Sequence, residues 1–502
     1  MHLLVTPRKF RHSINFAIVL RVVGWLLMIE ALFMVVPLVV AIVYGEVLIA
    51  VEFAVSVLST FASGLVMNHY IRPSSNTMRK REGLLLTATV WIFFSIFGML
   101  PFIFSGTVKS VTDGFFESMS GFTTTGASVI TNVESLPRGV LFWRSMMQWI
   151  GGMGIILFTL AVLPMLNYKG GVSLFNSEVT GITHERMRPR VSQTAKSLWA
   201  IYLVFSVVLA VLLMLGPMDW YDAVCHTMST VSTGGFSTRN SGLHFWHDYY
   251  TDIVIIVFMM LCGINFTIIY NVAVRGKFGD LKRSDTFKWY MIIILMGSIV
   301  VFARILYKGF VTDWDIGGRL VLSVFDTVSA ITSTGFATIN YEHEGEFIFF
   351  VLMLLMFFGG MAGSTAGGAK IDRFVVLLKN MKNELYKVVH SNAVTSVRLD
   401  GKSVPHVIVE KVLAFLSIYV AVMVFMAVVL TLFGMPAFDA MFNSLSAISN
   451  IGFGYGEMTG EADKFANIPD VCKWLLAIEM MVGRLEIFTV LALLTPSFWK
   501  RD

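Results

Sequence analysis

The chain has 502 residues, of which 56% are hydrophobic and 14% charged, with a formal net charge of +5. Soluble globular chains carry about 25% charged residues, so water is not the main solvent of this protein. Cys225, Cys262 and Cys472 are odd in number and far apart, which suggests neither a disulfide framework nor a metal cluster and reads as core-filling thiols.

In chain order, apolar runs fall near 13–44, 47–68, 83–104, 138–166, 197–216, 248–274, 288–311, 346–390 (interrupted), 406–434 and 471–496. Each is long enough to cross a hydrocarbon core of about 30 Å, so about ten crossings are expected. The first run follows Arg8, Lys9 and Arg11 and reaches about Tyr44 without a small-residue cleavage site. It is too long for a secretory signal and is expected to stay in the mature protein. Of the 38 Lys and Arg residues, 27 lie in alternate gaps starting with the N-terminal one and 7 in the others. The positive-inside rule then puts both termini in the cytoplasm. Basic clusters beside spans read as topology signals and contacts to anionic lipid, not as a nucleic-acid surface.

Between spans on the outer side lie segments too short and polar to cross, and they align on a glycine. They end in Ser120-Gly-Phe-Thr-Thr-Thr-Gly126, Ser229-Thr-Val-Ser-Thr-Gly-Gly235, Ser329-Ala-Ile-Thr-Ser-Thr-Gly335 and Ser446-Ala-Ile-Ser-Asn-Ile-Gly452. Each has Ser six before the glycine and a hydroxyl three before it: Thr123, Ser232, Thr332 and Ser449. Asp113, Asp222 and Asp439 stand thirteen before it, with Leu322 in the third repeat. The glycines are 109, 100 and 117 residues apart, and each interval holds two crossings. The unit is therefore span, re-entrant segment, span, repeated four times. The expected intervals are 1–70 for a two-helix addition, then 82–166, 194–274, 286–390 and 404–498 for the repeats.

From the Asp position to the hydroxyl position is about 16 Å of helix, which can enter a membrane but not cross it. Four such helices aiming their partly negative C-terminal ends at one axis would favour a cation. Successive carbonyls can face that axis only where the backbone alternates between ordinary and positive φ, which Gly tolerates cheaply. The resulting rings would replace an ion's hydration shell, as in potassium filters. The strands expected to do so are Thr124, Thr125, Gly126; Thr233, Gly234, Gly235; Ser333, Thr334, Gly335; and Asn450, Ile451, Gly452. The hydroxyls of Thr124, Thr233 and Ser333 and the amide of Asn450 are candidate extra ligands at the inner end. Adjacent Gly234 and Gly235 leave the second register open by one residue. The fold class expected is an all-α polytopic membrane protein with four pore repeats around one pore, plus two extra N-terminal helices.

These segments resemble those of the Trk/Ktr/HKT superfamily of potassium transporters. The two leading spans, Glu178 to Tyr202 and Pro-Arg-Val-Ser-Gln-Thr-Ala-Lys before the fifth span are similar to the TrkH/TrkG branch. The resemblance implies that the four glycines mark preference for potassium. It also implies a homodimer, a bacterial inner-membrane location and a cytosolic ring of TrkA-type regulatory subunits. Any nucleotide, ATP/ADP or NAD(H), would sit on that partner, with no cofactor in this chain beyond K+ in the filter.

The second span of repeat three contains Gly359, Gly360, Gly363, Gly367 and Gly368, five glycines in ten residues, with Ser364 and Thr365 among them and Lys370 after them. Such a segment is a poor helix, and irregular backbone at membrane depth is tolerated only inside protein or beside a watery cavity. It should lie beneath the filter; close helix packing through Gly is the alternative. A phosphate-binding loop is excluded because Ala369 separates Gly368 from Lys370 and no Ser or Thr follows. The resemblance makes it the intramembrane gating loop. Arg484 lies inside the last span, where a lone charge is costly. By resemblance it faces the pore and contacts the loop; the alternative is a buried pair with Glu479 or Glu486. Arg21, Arg144 and Arg304 lie nearer span ends and are expected to snorkel. Gly152, Gly263, Gly360 and Gly483 are expected to thin the wall of an inner cavity.

Potassium uptake down its electrochemical gradient is the function expected, with Na+- or H+-coupled potassium symport as the alternative on the same scaffold. An organic-solute transporter would show inverted repeats. An enzyme is disfavoured by the scattered histidines.

Overall fold

The computed structural model describes residues 14–73, 78–154, 191–308, 314–337, 346–456, 458 and 465–500. The basic N-terminal residues, the end of the 138–166 run and most of the stretch from Glu178 to the fifth span lie outside them.

Helices α1 (Phe16–Val43) and α2 (Val47–Tyr70) form a hairpin turned at Gly45, whose φ is +74°. They cross at Gly24 and Gly64, where a β-carbon on either residue would lie 2.8 or 2.6 Å from the other's carbonyl oxygen. Small residues let membrane helices approach this closely, and with little hydrophobic force between helices in lipid such packing is what joins them.

Four repeats follow. The first comprises α3 (Lys80–Gly98), continued by α4 (Leu100–Phe104), then α5 (Val111–Phe122) and α6 (Arg138–Gly152). The second comprises α7 (Val191–Met214), α8 (Trp220–Val231), α9 (Tyr249–Cys262) and α10 (Phe266–Ala273). After the short α11 (Phe278–Arg283), the third has α12 (Asp285–Lys308), α13 (Ile316–Ile331), α14 (Glu346–Phe358) and α15 (Ile371–Val389). A two-stranded hairpin, β1 (Arg398–Leu399) and β2 (Lys402–Ser403), leads to the fourth: α16 (His406–Leu432), α17 (Ala437–Ser449), α18 (Asp470–Arg484), α19 (Ile487–Leu494) and α20 (Pro496–Trp499).

The re-entrant helices α5, α8, α13 and α17 lie where the aligned segments put them. The third starts earlier than expected, at Ile316, because Asp315 caps it by accepting from Gly318 N at 2.9 Å. Ser110 and Asp219 cap α5 and α8 in the same way. From Gly114 to Phe122 every residue of α5 is buried. A polar-rich helix of 12 residues is held at this depth by protein on all sides, not by lipid.

Among the described residues six helices are long and apolar enough to cross a membrane, or seven if α9 and α10, bent by 105°, count as one span. Ten intact spans are not found among the described residues: the second helices of repeats two, three and four break, and that of repeat one is described only as far as Gly154. The sequence pointed to a break only in repeat three. Repeat two breaks at Gly263, with Asn265 starting α10 by accepting from Thr267 N at 2.7 Å. Repeat four breaks at Leu485–Glu486, where Glu486 has φ +61°.

Candidate functional site

Where each re-entrant helix ends, the same backbone states recur in all four repeats. Thr124, Thr233, Ser333 and Asn450 have φ between +53° and +55°, and Gly126, Gly235, Gly335 and Gly452 have φ between +78° and +85°. The intervening Thr125, Gly234, Thr334 and Ile451 turn their amides back onto the pore helix, to Ser120, Ser229, Ser329 and Ser446 carbonyls at 2.8–3.1 Å. The serine six before each glycine therefore supplies the same main-chain acceptor four times. Gly235 is the positive-φ residue of repeat two, which fixes the register left open by the pair of glycines.

The four strands close into a ring. A β-carbon on Gly126 would fall well under 3.0 Å from the Gly234 carbonyl oxygen, one on Gly235 from that of Thr334, one on Gly335 from that of Ile451, and one on Gly452 from that of Thr125. Each glycine thus makes room for the carbonyl preceding the next repeat's glycine, and the fourth step returns to the first repeat.

Side chains at the base of the ring are engaged with one another. Thr123 and Thr125 hydroxyls are 2.8 Å apart, as are those of Thr332 and Thr334. Ser232 donates to the Ser229 carbonyl at 3.1 Å, and the Ser449 hydroxyl meets Tyr419 at 2.7 Å. Thr233 donates to the Ser232 carbonyl at 2.6 Å, and Asn450 Nδ2 donates to Thr125 Oγ1 and to the Met480 carbonyl at 3.1 and 2.8 Å. Ser333 Oγ accepts from Gly367 N. Thr233, Ser333 and Asn450 thereby bind protein neighbours, while Thr124 is buried beside them.

Directly beneath runs residues 359–370, the glycine-rich segment. Gly368 N donates to the Ser449 carbonyl at 3.0 Å, so the segment touches the base of the ring in repeats three and four. Thr365 Oγ1 reaches the Val231 and Cys262 carbonyls at 3.3 Å. Its other edge is tied to the break in repeat two: Met361 N donates to the Gly263 carbonyl at 2.9 Å, Phe266 N to that of Gly363 at 3.0 Å, and Asn265 Nδ2 to that of Ala362 at 2.7 Å. Asp372 accepts from Ala362 N at 2.6 Å, Gly360 O accepts from Ile371 N at 3.0 Å, and the buried Lys370 turns its ammonium onto the Ala366 carbonyl. Gly359, Gly363, Gly368 and Lys370 all have positive φ, the conformations that break the helix. Ser364 closes the inner turn by donating to the Met361 carbonyl at 2.6 Å.

Arg484 points into this segment. It donates to the Thr365 carbonyl at 2.9 Å and to those of Gly151 and Gly152 at 2.9 and 3.0 Å. The two carboxylates considered as its partners are engaged elsewhere: Glu479 accepts from Ser444 Oγ at 2.6 Å, and Glu486 pairs with Arg373. A cavity of about 90 Å³ lies here, lined by Gly152, Ala366, Gly367, Lys370, Asn450 and Arg484 among others, with room for several waters. Gly152 and Gly483 do line it, but the four glycines chiefly permit close packing. β-Carbons on Gly152, Gly263 and Gly483 would meet Ser232, Thr332 and the Ile448 carbonyl, all at the ends of neighbouring pore helices, and one on Gly360 would meet Ala366.

One expectation is overturned. Arg144 does not snorkel: its side chain is 3% exposed, and Nε donates to Glu117 at 2.8 Å. A buried acid was within reach on the adjacent pore helix, whereas snorkelling needs a path to the interface. Gln148, Asn265, Asp372 and Arg373 were also missed. Gln148 Nε2 donates to the Gly234 carbonyl at 2.5 Å and its Oε1 accepts from Phe236 N at 3.1 Å. The Gly263-Ile-Asn265 run, a helix stop followed by a cap residue, was a legible signal for the break; nothing local marks Gln148.

Comparison with known proteins bears on what the ring belongs to. The model of the TrkH family, described as cation transport protein, matches residues 49–501. The Trk system potassium uptake protein TrkH of Salmonella typhimurium is 34% identical over 97% of this chain and 100% of that protein. TrkG of Escherichia coli K12 is 34% identical over 96% of this chain and 98% of its own length. The crystal structure of the potassium transporter TrkH from Vibrio parahaemolyticus superposes with a TM-score of 0.85 at 33% identity, covering 97% of this chain and all of that one. A ring of four glycine strands at the centre of a multi-pass helical protein, and matches that run nearly end to end, agree: this chain belongs to the TrkH family of cation transport proteins.

Proposed function

We propose that the protein is the membrane subunit of a potassium uptake system, passing K+ and Rb+ through the ring formed by Thr125, Gly234, Thr334 and Ile451 carbonyls. The observation that carries this reading is the cyclic neighbour relation of the four glycines. Amides turned back to the pore helices leave the Thr125, Thr334 and Ile451 carbonyl oxygens for the axis, that of Gly234 being held also by Gln148 Nε2, and such rings replace the water around a bare ion. The partly negative C-termini of α5, α8, α13 and α17 add to the attraction for a cation. Each repeat contributes one strand. A membrane potential of 100 mV is worth about 2.3 kcal/mol per charge, which sustains roughly fifty-fold accumulation with no ATP hydrolysis in this chain.

In this reading residues 359–370 are the gate, closing the path immediately inside the filter, and Arg484 is its positive latch. The name of the relatives' system supports a multi-subunit assembly. A homodimer in the inner membrane, both termini cytoplasmic, bearing a cytosolic TrkA-type ring that binds ATP/ADP or NAD(H) completes the proposal. The deciding experiment is 86Rb+ and potassium flux in liposomes holding the purified chain, with sodium and pH varied independently. Reversal potentials that follow potassium alone are expected; potentials that move with pH or sodium would replace this reading with coupled symport.

A further inference from the structure

Nine residues before each filter glycine stand Glu117, His226, Asp326 and Asn443. All lie on the pore helices and none is more than 1% exposed. Polar and ionisable side chains buried at one position of every repeat, in a membrane protein, are expensive unless each has a definite partner. In the three repeats where the following chain is described, that partner is the backbone or hydroxyl two or three residues beyond the filter glycine.

In repeat one, Glu117 accepts from Val129 N at 3.0 Å and from Ser128 Oγ at 3.1 Å. In repeat two, His226 Nδ1 is 2.8 Å from the Asp222 carbonyl, an acceptor, so Nδ1 carries the proton and Nε2 accepts from Ser237 Oγ at 3.0 Å. In repeat four, Asn443 both donates to the Tyr455 carbonyl and accepts from Tyr455 N, each at 3.2 Å. In repeat three Asp326 holds the same place, and the chain beyond Ala337 lies outside the described residues. Arg144 joins two of the braces: it pairs with Glu117, donates to Ser128 Oγ at 3.0 Å, reaches the Ser237 carbonyl at 3.4 Å and covers the Phe236 ring at 4.1 Å.

We propose that this position is the positioning residue of the filter. It fixes the outer end of each strand to that strand's own pore helix, and thereby limits how far the carbonyl ring closes around an ion smaller than potassium. Strands of small residues with alternating φ have little stiffness of their own. A ring free to contract would coordinate sodium as well as potassium; a strand pinned at both ends cannot follow. The pinning comes from Ser120, Ser229, Ser329 and Ser446 on the inner side and from Glu117, His226 and Asn443 on the outer. The inference rests on the filter reading above.

The test measures K+/Na+ permeability ratios from reversal potentials in bilayers for Asn443→Leu, Ser237→Ala and Glu117→Gln, with Gly126→Ser as control. Asn443→Leu keeps the branched outline of the side chain and loses both bonds to Tyr455; a ratio at least fivefold lower is expected. Ser237→Ala removes the His226 partner together with the acceptor of Arg239 N at 3.0 Å, leaves the pore helix untouched and should lower the ratio about threefold. Glu117→Gln keeps one acceptor oxygen for Ser128 and Val129 but sets its amide NH2 against the buried Arg144, so the ratio should fall about threefold along with the melting temperature. A residue needed only for folding would lower the melting temperature and leave the ratio alone. If Asn443→Leu and Ser237→Ala both keep the parent ratio while Gly126→Ser loses selectivity, the brace is refuted and the filter stands. Should Gly126→Ser also keep it, the filter assignment fails and takes the brace with it. If Asn443→Leu does not fold, Ser237→Ala carries the same decision.

Discussion

The carbonyl oxygen of Gly234 stands nearer to where a β-carbon on Gly126 would be than any real β-carbon contact allows. A glycine in one repeat is thus a condition for the position of a carbonyl in the next, and the relation runs round all four. The glycines are required twice over, for φ near +80° and for the space they leave.

Gly126→Ser must place a side chain in left-handed backbone, a strain of roughly 1–2 kcal/mol, and against the Gly234 carbonyl of the proposed ring. Gly235→Ser meets the Thr334 carbonyl in the same way. Both variants are expected to lower the K+/Na+ permeability ratio at least tenfold in reversal-potential measurements. Unchanged ratios in both would remove the filter assignment.

Arg484→Ala withdraws a charge that binds three carbonyls around the loop at 2.9–3.0 Å. Losing the positive barrier, worth a few kcal/mol at membrane depth, should raise 86Rb+ flux several-fold in liposomes holding this chain alone. Deleting part of Gly363 to Gly368 should act in the same direction. Slower flux from both variants, folded, contradicts the gate.

Arg373 pairs with Glu486, donates to the Ala369 carbonyl at 3.1 Å and lies 3.7 Å from the Phe415 ring centroid. The pair ties the start of α15, and with it the loop, to the break in repeat four. Arg373→Gln and Glu486→Gln should each raise basal flux by less than Arg484→Ala. Their combination should show a coupling of about 0.5–3 kcal/mol, as for residues in direct contact. Strict additivity of the two effects on flux would show that the pair does not hold the loop.

Gly483→Ala forces a methyl against the Ile448 carbonyl, main chain that cannot swing away. A loss of about 1–3 kcal/mol is expected, read as a lower melting temperature in detergent. Gly279→Ala, on an exposed helix with nothing within 4 Å, is the matched control and should be neutral or slightly stabilising.

Much of this architecture was legible because it is local. Ser, hydroxyl and glycine at fixed offsets specify a short buried helix followed by a strand whose glycine takes positive φ at little cost, whereas Thr124, Thr233 and Ser333 reach φ of +53° to +55° against the preference of their own residue types. The same holds for the interruption at Gly359 to Lys370, where glycine density forbids a helix. Arg144 was misjudged for the opposite reason. Its partner Glu117 is 27 residues away, and only the packing of α6 on α5 shows that the pair meets in the interior.

By itself, then, the sequence determined four re-entrant units, their glycines and a broken span, since these depend on chain stiffness, length and the cost of polar groups in lipid. Tertiary structure alone decided which carbonyl fills the space beside each glycine, that Gly235 and not Gly234 takes the positive φ, and that helices break in repeats two and four as well as three. It also decided that Arg484 binds main-chain carbonyls while Glu486 turns to Arg373. Those outcomes depend on distances between residues roughly a hundred positions apart, and no local preference encodes such distances.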